Sequence, residues 1–378
     1  MTNSYHLNSE TIQGFFDADG SFEAKVYLGT EKPISFHVNV IFSQKDKDVL
    51  QSILDSTGAI NTKGSTLKKV SERQIENQSG TISIGNSISM AFSRIGAKQL
   101  LQFWQVNPPK APTKFLDYRI ACILSEGSTS TALEVLKKYL PNNTVSNSEH
   151  MAGLSLLWLR FRMYGKVKDS KNPNLIPIEE YYAKMNATQL EIDQSVVIGQ
   201  QLYALIKHDM DSCGSKLSIS EDYLVGYHIG DGCFSIETQF GSNGSSFKAN
   251  FFWSVTDCKD NYALLEAIKA KLEVDGINCN NIYDYKTYCK LSVTSIESCK
   301  QLVEKWKSKK LTKVRQNQYD CFAKALDMYC SADFREDLDK LEAFIRLKWV
   351  MNPGTNYKKK GSLNDDLVKV KTYFNNKS

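Results

Sequence analysis

IQGFFDADGSF, residues 12–22, is answered far along the chain by LVGYHIGDGCF, residues 224–234. Gly14, Asp19, Gly20 and Phe22 recur as Gly226, Asp231, Gly232 and Phe234 at a constant offset of 212 (226 − 14 and 231 − 19). One Asp-Gly pair between an apolar run and an alternating run is an ordinary turn from helix to strand. Two copies in one register indicate a duplicated chain, and such repetition decides the architecture before any local reading does. The echo continues downstream: KQLLQFW at Lys98–Trp104 is matched by KQLVEKW at Lys300–Trp306, followed by Thr113-Lys114 and Thr312-Lys313 respectively.

Behind each Asp-Gly the pattern switches to a period of two, that of a half-buried strand. Phe22, Ala24, Val26 and Leu28 alternate with Ser21, Glu23, Lys25 and Tyr27, and Phe36, Val38 and Val40 alternate with His37 and Asn39. The second half repeats this with Phe234, Ile236 and Thr238 against Ser235, Glu237 and Gln239, then Ala249, Phe251 and Trp253 against Lys248, Asn250 and Phe252. Each half is read as a helix, two strands, a helix, two strands and further helices, with one polar sheet face. That is an α+β chain with antiparallel sheets.

The predicted division is a first half at 1–140, additional helices and linker at 141–220, and a second half at 221–378. The middle segment opens with the polar string Asn142–Glu149 and shows helical periodicity at Leu154–Met163 and Ile192–Ile206. The tail NPGTNYKKK, residues 352–360, reads as a basic loop before a last short helix ending near Phe374.

The chain has 378 residues, 42% of them hydrophobic, enough for a core in each half. The net charge of +5 permits a nucleic-acid partner without demanding one. The most apolar short stretch, Met151–Leu159, stops at Arg160, well below the roughly 20 residues a membrane helix needs. Nine scattered cysteines with no CxxC pair, and only five histidines, argue for reduced thiols and against structural zinc. Met1–Glu10 shows neither a secretory signal nor a transit peptide, so an intracellular protein is expected. Richness in Asn, Ser, Lys and Tyr is compatible with an organellar gene, in which case the protein belongs in a chloroplast or mitochondrion.

Ile12–Gly20 and Leu224–Gly232 resemble the signature of the LAGLIDADG homing endonuclease family, in the single-chain form with two motifs. The resemblance implies a pseudo-two-fold pair of αββαββα domains whose antiparallel, saddle-shaped sheets bind DNA. It implies that the two signature helices pack together, with Gly14 and Gly226 allowing close backbone approach. It further implies that Asp19 and Asp231 bind divalent metal, with the carbonyls of Ala18 and Gly230 also facing it. Oxygen ligands suit Mg²⁺, with Mn²⁺ or Ca²⁺ able to occupy the same sites. Two helix C-termini, each partly negative and each adding a carboxylate, favour a cation.

Within the same resemblance Gln44 falls where the family often has a water-positioning glutamine, and Asp257 is its nearest counterpart, with Lys259 as the alternative. Lys114 and Lys313 match the basic residue facing the scissile phosphate, with Lys110 a rival to Lys114. Each of these lysines is equally readable as a solvated charge. Two departures stand out: Asp17 is matched by Ile229, and His228 stands where an apolar residue is commoner, reading as a packed histidine. MAGLSLL at Met151–Leu157 imitates the signature's opening without Asp-Gly, and reads as a core helix.

Glu23, Lys25, Tyr27, Ser35, His37 and Asn39 are expected to read one DNA half-site, and Ser235, Glu237, Gln239, Lys248 and Asn250 the other, through base edges. Because these sets differ, the expected target is not a perfect palindrome, and the resemblance implies a long duplex bound by a monomer. Lys307–Arg315 and Lys358–Lys360 are expected to meet phosphates. The reading is a sequence-specific, intron-encoded endonuclease cutting one phosphodiester on each strand. The alternatives are an RNA-binding intron maturase, whose partner is host intron RNA, and a transcription regulator on the same scaffold. Retention of both acids favours cutting.

Overall fold

The computed structural model describes residues 7–28, 34–44, 47–57, 66–69, 73–76, 82–85, 88–93, 95–126, 131–141, 148–163, 177–214, 217–309, 311–351 and 362–377. The chain opens with α1 (Ser9–Asp19), β1 (Gly20–Tyr27), β2 (Ser35–Gln44), α2 (Lys47–Thr57), β3 (Thr66–Lys69), β4 (Arg73–Glu76), β5 (Ile82–Gly85) and β6 (Ile88–Ser93). Then come α3 (Ile95–Phe103), α4 (Pro112–Glu126), α5 (Ala132–Tyr139), α6 (Glu149–Met163), α7 (Ile178–Lys184) and α8 (Gln189–Gly214). The plan restarts with α9 (Glu221–Asp231), β7 (Cys233–Phe240), β8 (Phe247–Cys258), α10 (Tyr262–Val274), β9 (Tyr283–Asp284) and β10 (Tyr288–Val293). It closes with α11 (Ile296–Trp306), α12 (Lys313–Cys330), α13 (Leu338–Met351) and α14 (Leu363–Lys377). The class is α+β, with antiparallel sheets ordered β1-β2-β6-β3 and β7-β8-β10-β9. A separate hairpin, β4-β5, is an addition that the sequence reading did not include. Among the described residues no helix is long and apolar enough to cross a membrane.

The chain forms two compact units, Asp19–Leu217 on the one hand and Met1–Ala18 with Ser218–Ser378 on the other. In the first, the apolar face of the sheet carries Phe22, Ala24, Val38, Val40, Phe42 and Phe92, all buried. Trp104, directly after α3, seals it: its ring meets Phe22 edge-on at 5.9 Å, and Phe42 meets Phe92 edge-on at 5.8 Å. Edge contacts of this kind add about 0.5–1.5 kcal/mol beyond the area buried. Helix α6 belongs to the same unit, and Met151–Leu157 is buried throughout, the core helix its composition suggests. Arg160 of α6, itself buried, donates from Nε to the Ala24 carbonyl at 2.9 Å. Arg119 of α4 ties α8 in through Asp209 at 2.6 Å.

In the second unit the matching sheet face packs Phe234, Ile236, Phe251, Trp253 and Val255. Trp306 meets Phe234 edge-on at 5.9 Å, as Trp104 meets Phe22. His228 sits inside this cluster, fully buried, its ring 4.9 Å from both Phe234 and Trp306. Its Nδ1 accepts from Trp253 Nε1 at 3.1 Å, which leaves the proton on Nε2. Burial holds the imidazole well below its ordinary value, so His228 is a neutral core residue. Gly232 makes room for it: a Cβ there would collide with the imidazole, while the backbone at Gly232 is ordinary extended chain with φ −77°. Helix α14 is held by Lys348, whose Nζ donates to Asp366 at 2.8 Å and to Thr238 of β7 at 2.6 Å.

Helix α1, first in sequence, also packs in this second unit. Asn8 caps it, its Oδ1 accepting from the Thr11 amide at 2.8 Å, and Ser220 caps α9 by accepting from the Tyr223 amide at 3.1 Å. Asn8 Nδ2 also donates to Asp222 at 2.7 Å, so the two N-termini lie together and the helices run parallel. They touch backbone to backbone. A Cβ on Gly14 would strike the Tyr223 carbonyl, and one on Gly226 would strike the Thr11 carbonyl, a reciprocal contact that only glycine permits.

Candidate active site and nucleic-acid interface

Each signature helix ends in its acid: Asp19 is the last residue of α1 and Asp231 the last of α9. A carboxylate at a helix C-terminus meets the negative end of the dipole, so each site calls for cationic or donor groups. Ala18, Asp19, Gly230 and Asp231 are all half-buried rather than sealed in a core.

In the unit Asp19–Leu217 the donors come from two elements. Gln44, the last residue of β2, donates from Nε2 to Asp19 Oδ2 at 2.8 Å. Lys114 in the first turn of α4 donates to the Gly20 carbonyl. Gln44 and Lys114, both predicted from sequence, are therefore brought to the end of α1. Strand pairing delivers Gln44: Gly20 lies opposite Phe42, and Gln44 follows two residues later.

In the other unit the same pairing rule points to Asp257. Cys233 lies opposite Ser254, so the Gly232 position faces Val255, and Asp257 follows two residues later as Gln44 follows Phe42. The side chain, however, is held differently. Asp257 Oδ2 accepts from the Tyr227 hydroxyl at 2.5 Å, and Oδ1 accepts from the Cys258 amide at 2.6 Å and from Asn261 Nδ2 at 2.9 Å. Burial, then the Asp257 carboxylate, hold the Tyr227 phenol well above its ordinary value, so it keeps its proton and donates. The rival Lys259 is exposed and pairs with Asp284 at 2.5 Å.

Lys313 is an exposed residue at the start of α12, whereas Arg315, two residues on in the same first turn, reaches the end of α9. Its Nε donates to the Ile229 carbonyl at 3.0 Å and its Nη2 to the Gly230 carbonyl at 2.7 Å. Two equivalent anchors explain the offset. Tyr118 donates to the Leu101 carbonyl and Tyr319 to the Val303 carbonyl, which aligns Lys114 with Arg315 rather than with Lys313. The repeated Thr-Lys dipeptide is out of step with the repeated helices by two residues (315 − 313). Arg315 lay inside the basic stretch expected to meet phosphates, but spacing alone did not single it out.

The two departures from the signature also find partners. Asp17 is buried, and its Oδ2 accepts from the Tyr223 hydroxyl on α9 at 2.7 Å. Burial, then Asp17, raise the Tyr223 phenol well above its ordinary value, so it too stays a donor. Tyr223 and Tyr227 stack at 6.2 Å. Neither phenol was singled out in the sequence, although Tyr227 stands four residues before Asp231, on the same face of α9.

Among the described residues no group of three or more His, Cys, Asp or Glu side chains is placed to hold a metal. The groups at the two helix ends are carboxylate and carbonyl oxygens, the ligand type that a hard divalent cation takes. The Gly230 carbonyl, expected to face metal, keeps one lone pair beyond its bond to Arg315.

The predicted DNA-facing residues lie on the polar faces of the two sheets. On β1 and β2, Lys25 and Tyr27 are exposed and Glu23, Ser35 and His37 half-buried, while Asn39 is buried and donates to Glu23 at 2.7 Å. On β7 and β8, Glu237, Gln239 and Lys248 are exposed and Ser235 and Asn250 half-buried. The same face continues onto β9 and β10, where Tyr283 lies opposite Lys290 and Tyr285 stacks on Tyr288 at 4.5 Å. These tyrosines were absent from the sequence-based set because their strands are short and carry little alternation. Lys358–Lys360 lies outside the described residues.

Residues 224–326 match the family model described as LAGLIDADG endonuclease. A comparison with curated proteins found no match. Among solved structures, the meganuclease I-SmaMI bound to uncleaveable DNA aligns with a TM-score of 0.61 and 17% identity over 93% of this chain and 100% of that chain. The LAGLIDADG homing endonuclease I-LtrWI bound to target DNA aligns with a TM-score of 0.57 and 16% identity over 91% of this chain and 97% of that chain. I-GzeII in complex with its DNA target aligns with a TM-score of 0.60 and 14% identity over 93% and 100%. The resemblance read from the two signatures is thus found again by the family model in the second half, and the chain as a whole has the fold of the LAGLIDADG homing endonucleases.

Proposed function

We propose that the protein is a metal-dependent DNA endonuclease of the homing type, cutting both strands of a long, imperfectly palindromic duplex. The observation that carries this reading is the parallel, glycine-mediated pair α1 and α9, each ending in an aspartate that strand pairing supplies with a polar neighbour, Gln44 or Asp257. The solved structures it resembles include several bound to DNA, which favours DNA over intron RNA as the partner.

Asp19 and Asp231 would each hold a divalent cation at the end of its own helix, which when bound supplies an activated water and stabilises the attacking and leaving oxygens. The rest falls to the chain. Gln44 fixes the Asp19 carboxylate and offers its amide to a water. Lys114 and Arg315 each satisfy carbonyls around the acid and present positive charge where a phosphate would lie. The polar sheet faces supply base contacts, and the differing residues of the two sets imply differing half-sites.

The decisive test is incubation with Mg²⁺ and a duplex joining the sequences that flank the gene, on the premise that the gene sits within an intron. Double-strand cutting that stops with excess chelator is expected. Cutting that persists in chelator would overturn the metal-dependent reading, and specific binding of the duplex with no cutting at any divalent metal would overturn the nuclease itself.

A further inference from the structure

The end of α9 is built differently from the end of α1, and one of the differences is a hydroxyl. Four residues before Asp19 stands Phe15, buried and without a polar atom; four residues before Asp231 stands Tyr227. Residues four apart share a helix face, so Tyr227 lines the turn that ends in Asp231. Its hydroxyl reaches Asp257 at 2.5 Å. The Cys258 amide and Asn261, itself buried, take the other carboxylate oxygen. Three donors fix Asp257 and, of roughly four acceptor sites on a carboxylate, leave one on Oδ2 unused. In the other half the equivalent place holds Gln44, an amide that donates directly to Asp19.

We propose that Tyr227 is a positioning residue that fixes Asp257 as a second acid serving the site of Asp231, so that the two halves nick their strands with different acid sets and at unequal rates. The proposal rests on the nuclease reading. One half works with an acid and an amide, the other with two acids, and a hard cation prefers the second set. The half with two acids would therefore hold the cation at lower concentration, and its strand would be the one nicked at lower Mg²⁺.

The test uses the full chain and a duplex that the wild-type protein selects from a random-sequence pool, each strand carrying its own fluorophore. Mg²⁺ is titrated and the two nicking rates are read separately. Wild type is expected to nick one strand at lower Mg²⁺ than the other. Tyr227→Phe is expected to slow that strand about tenfold, the usual cost of losing the group that orients a ligand, while the other strand stays within about twofold. Asn261→Ala should slow the same strand, and Gln44→Ala the opposite one. Both nicks come from the same folded molecule, so a variant that merely destabilises the protein lowers both rates and leaves their ratio unchanged. An unchanged ratio in Tyr227→Phe, with normal melting and DNA binding, overturns the role of Tyr227. Wild type nicking both strands with identical Mg²⁺ dependence overturns the inequality. A wild type that nicks neither strand instead removes the nuclease reading, a failure recognisably different from the other two.

Discussion

The ends of α1 and α9 carry the same letters and different neighbours. Asp19 is approached by Gln44 and its following carbonyl by Lys114; the turn before Asp231 is approached by Arg315, and its strand neighbour Asp257 is claimed by Tyr227 and Asn261. Behind the acids, Phe16 in one half is replaced by His228 in the other, and His228 is accommodated by accepting from Trp253 and by Gly232 leaving space. Duplication thus preserved the backbone geometry, which is dictated by glycine contacts and strand register, while the side chains around it were free to diverge. A pseudo-symmetric scaffold is a constraint on positions more than on identities.

The largest expected effect tests whether the two ends are equivalent in chemistry. Asp19→Asn and Asp231→Asn should each reduce double-strand cutting by roughly a thousandfold or more, because the cation's stabilisation of the reacting oxygens amounts to several kcal/mol. Binding, followed by gel shift, should change little. If either variant still cuts both strands fully, the acids are not equivalent and the mechanism fails.

Next in size is the shared backbone contact. Gly14→Ala and Gly226→Ala each place a methyl group against a carbonyl of the partner helix. Both should cost about 3 kcal/mol, the upper range for overpacking a core, measured by denaturant melts. Unequal costs would show that the reciprocal contact is not reciprocal in energy.

A smaller change separates Arg315 from Lys313. Arg315→Ala should lower the cutting rate by about 10- to 100-fold, as loss of a charged group next to reacting oxygens does, whereas Lys313→Ala, at an exposed position, should leave it within about twofold. The reverse ranking would restore the Thr-Lys alignment.

The mildest effect concerns pH. His228 is neutral when folded, but once unfolded it takes a proton below its ordinary value of 6.5. The unfolded state then binds more protons, so stability is complete above that pH and declines as pH falls through it, by roughly 1.4 kcal/mol one unit below. His228→Phe, copying Phe16, should flatten the fall in melting temperature between about pH 7.5 and pH 5.5. An unaltered slope would place the titrating group elsewhere.

Much of this was legible in the chain because repetition amplifies weak signals. The paired Asp-Gly signatures located both helix ends, and alternation from Phe22 and Phe234 located the sheet faces. Gln44 was named from the family resemblance and Asp257 from the repeat, and strand register accounts for where the two lie. What failed was counting across loops: Thr113-Lys114 and Thr312-Lys313 look equivalent, yet the connections preceding α4 and α12 differ in length, and the helix anchors Tyr118 and Tyr319 place Arg315 where the dipeptide had suggested Lys313. Tyr227 was missed for another reason. Its partner is distant in sequence, and nothing local distinguishes a tyrosine that donates to a carboxylate from one that only packs. Asn39 reads as a polar-face residue by alternation, but it is buried and one of its donors is taken by Glu23, so only the rest of its amide is left to meet a base.

The attachment of α1 to α9 also has a bearing on biosynthesis. Gly14 leaves the ribosome long before its docking partner Gly226 is made, 212 residues later (226 − 14). At ordinary elongation speeds that is a wait of roughly ten to forty seconds. Throughout it, Thr11, Gly14 and Phe15 lack the helix α9 that later lies against their backbone, a nascent-chain interval in which a chaperone would have something to hold.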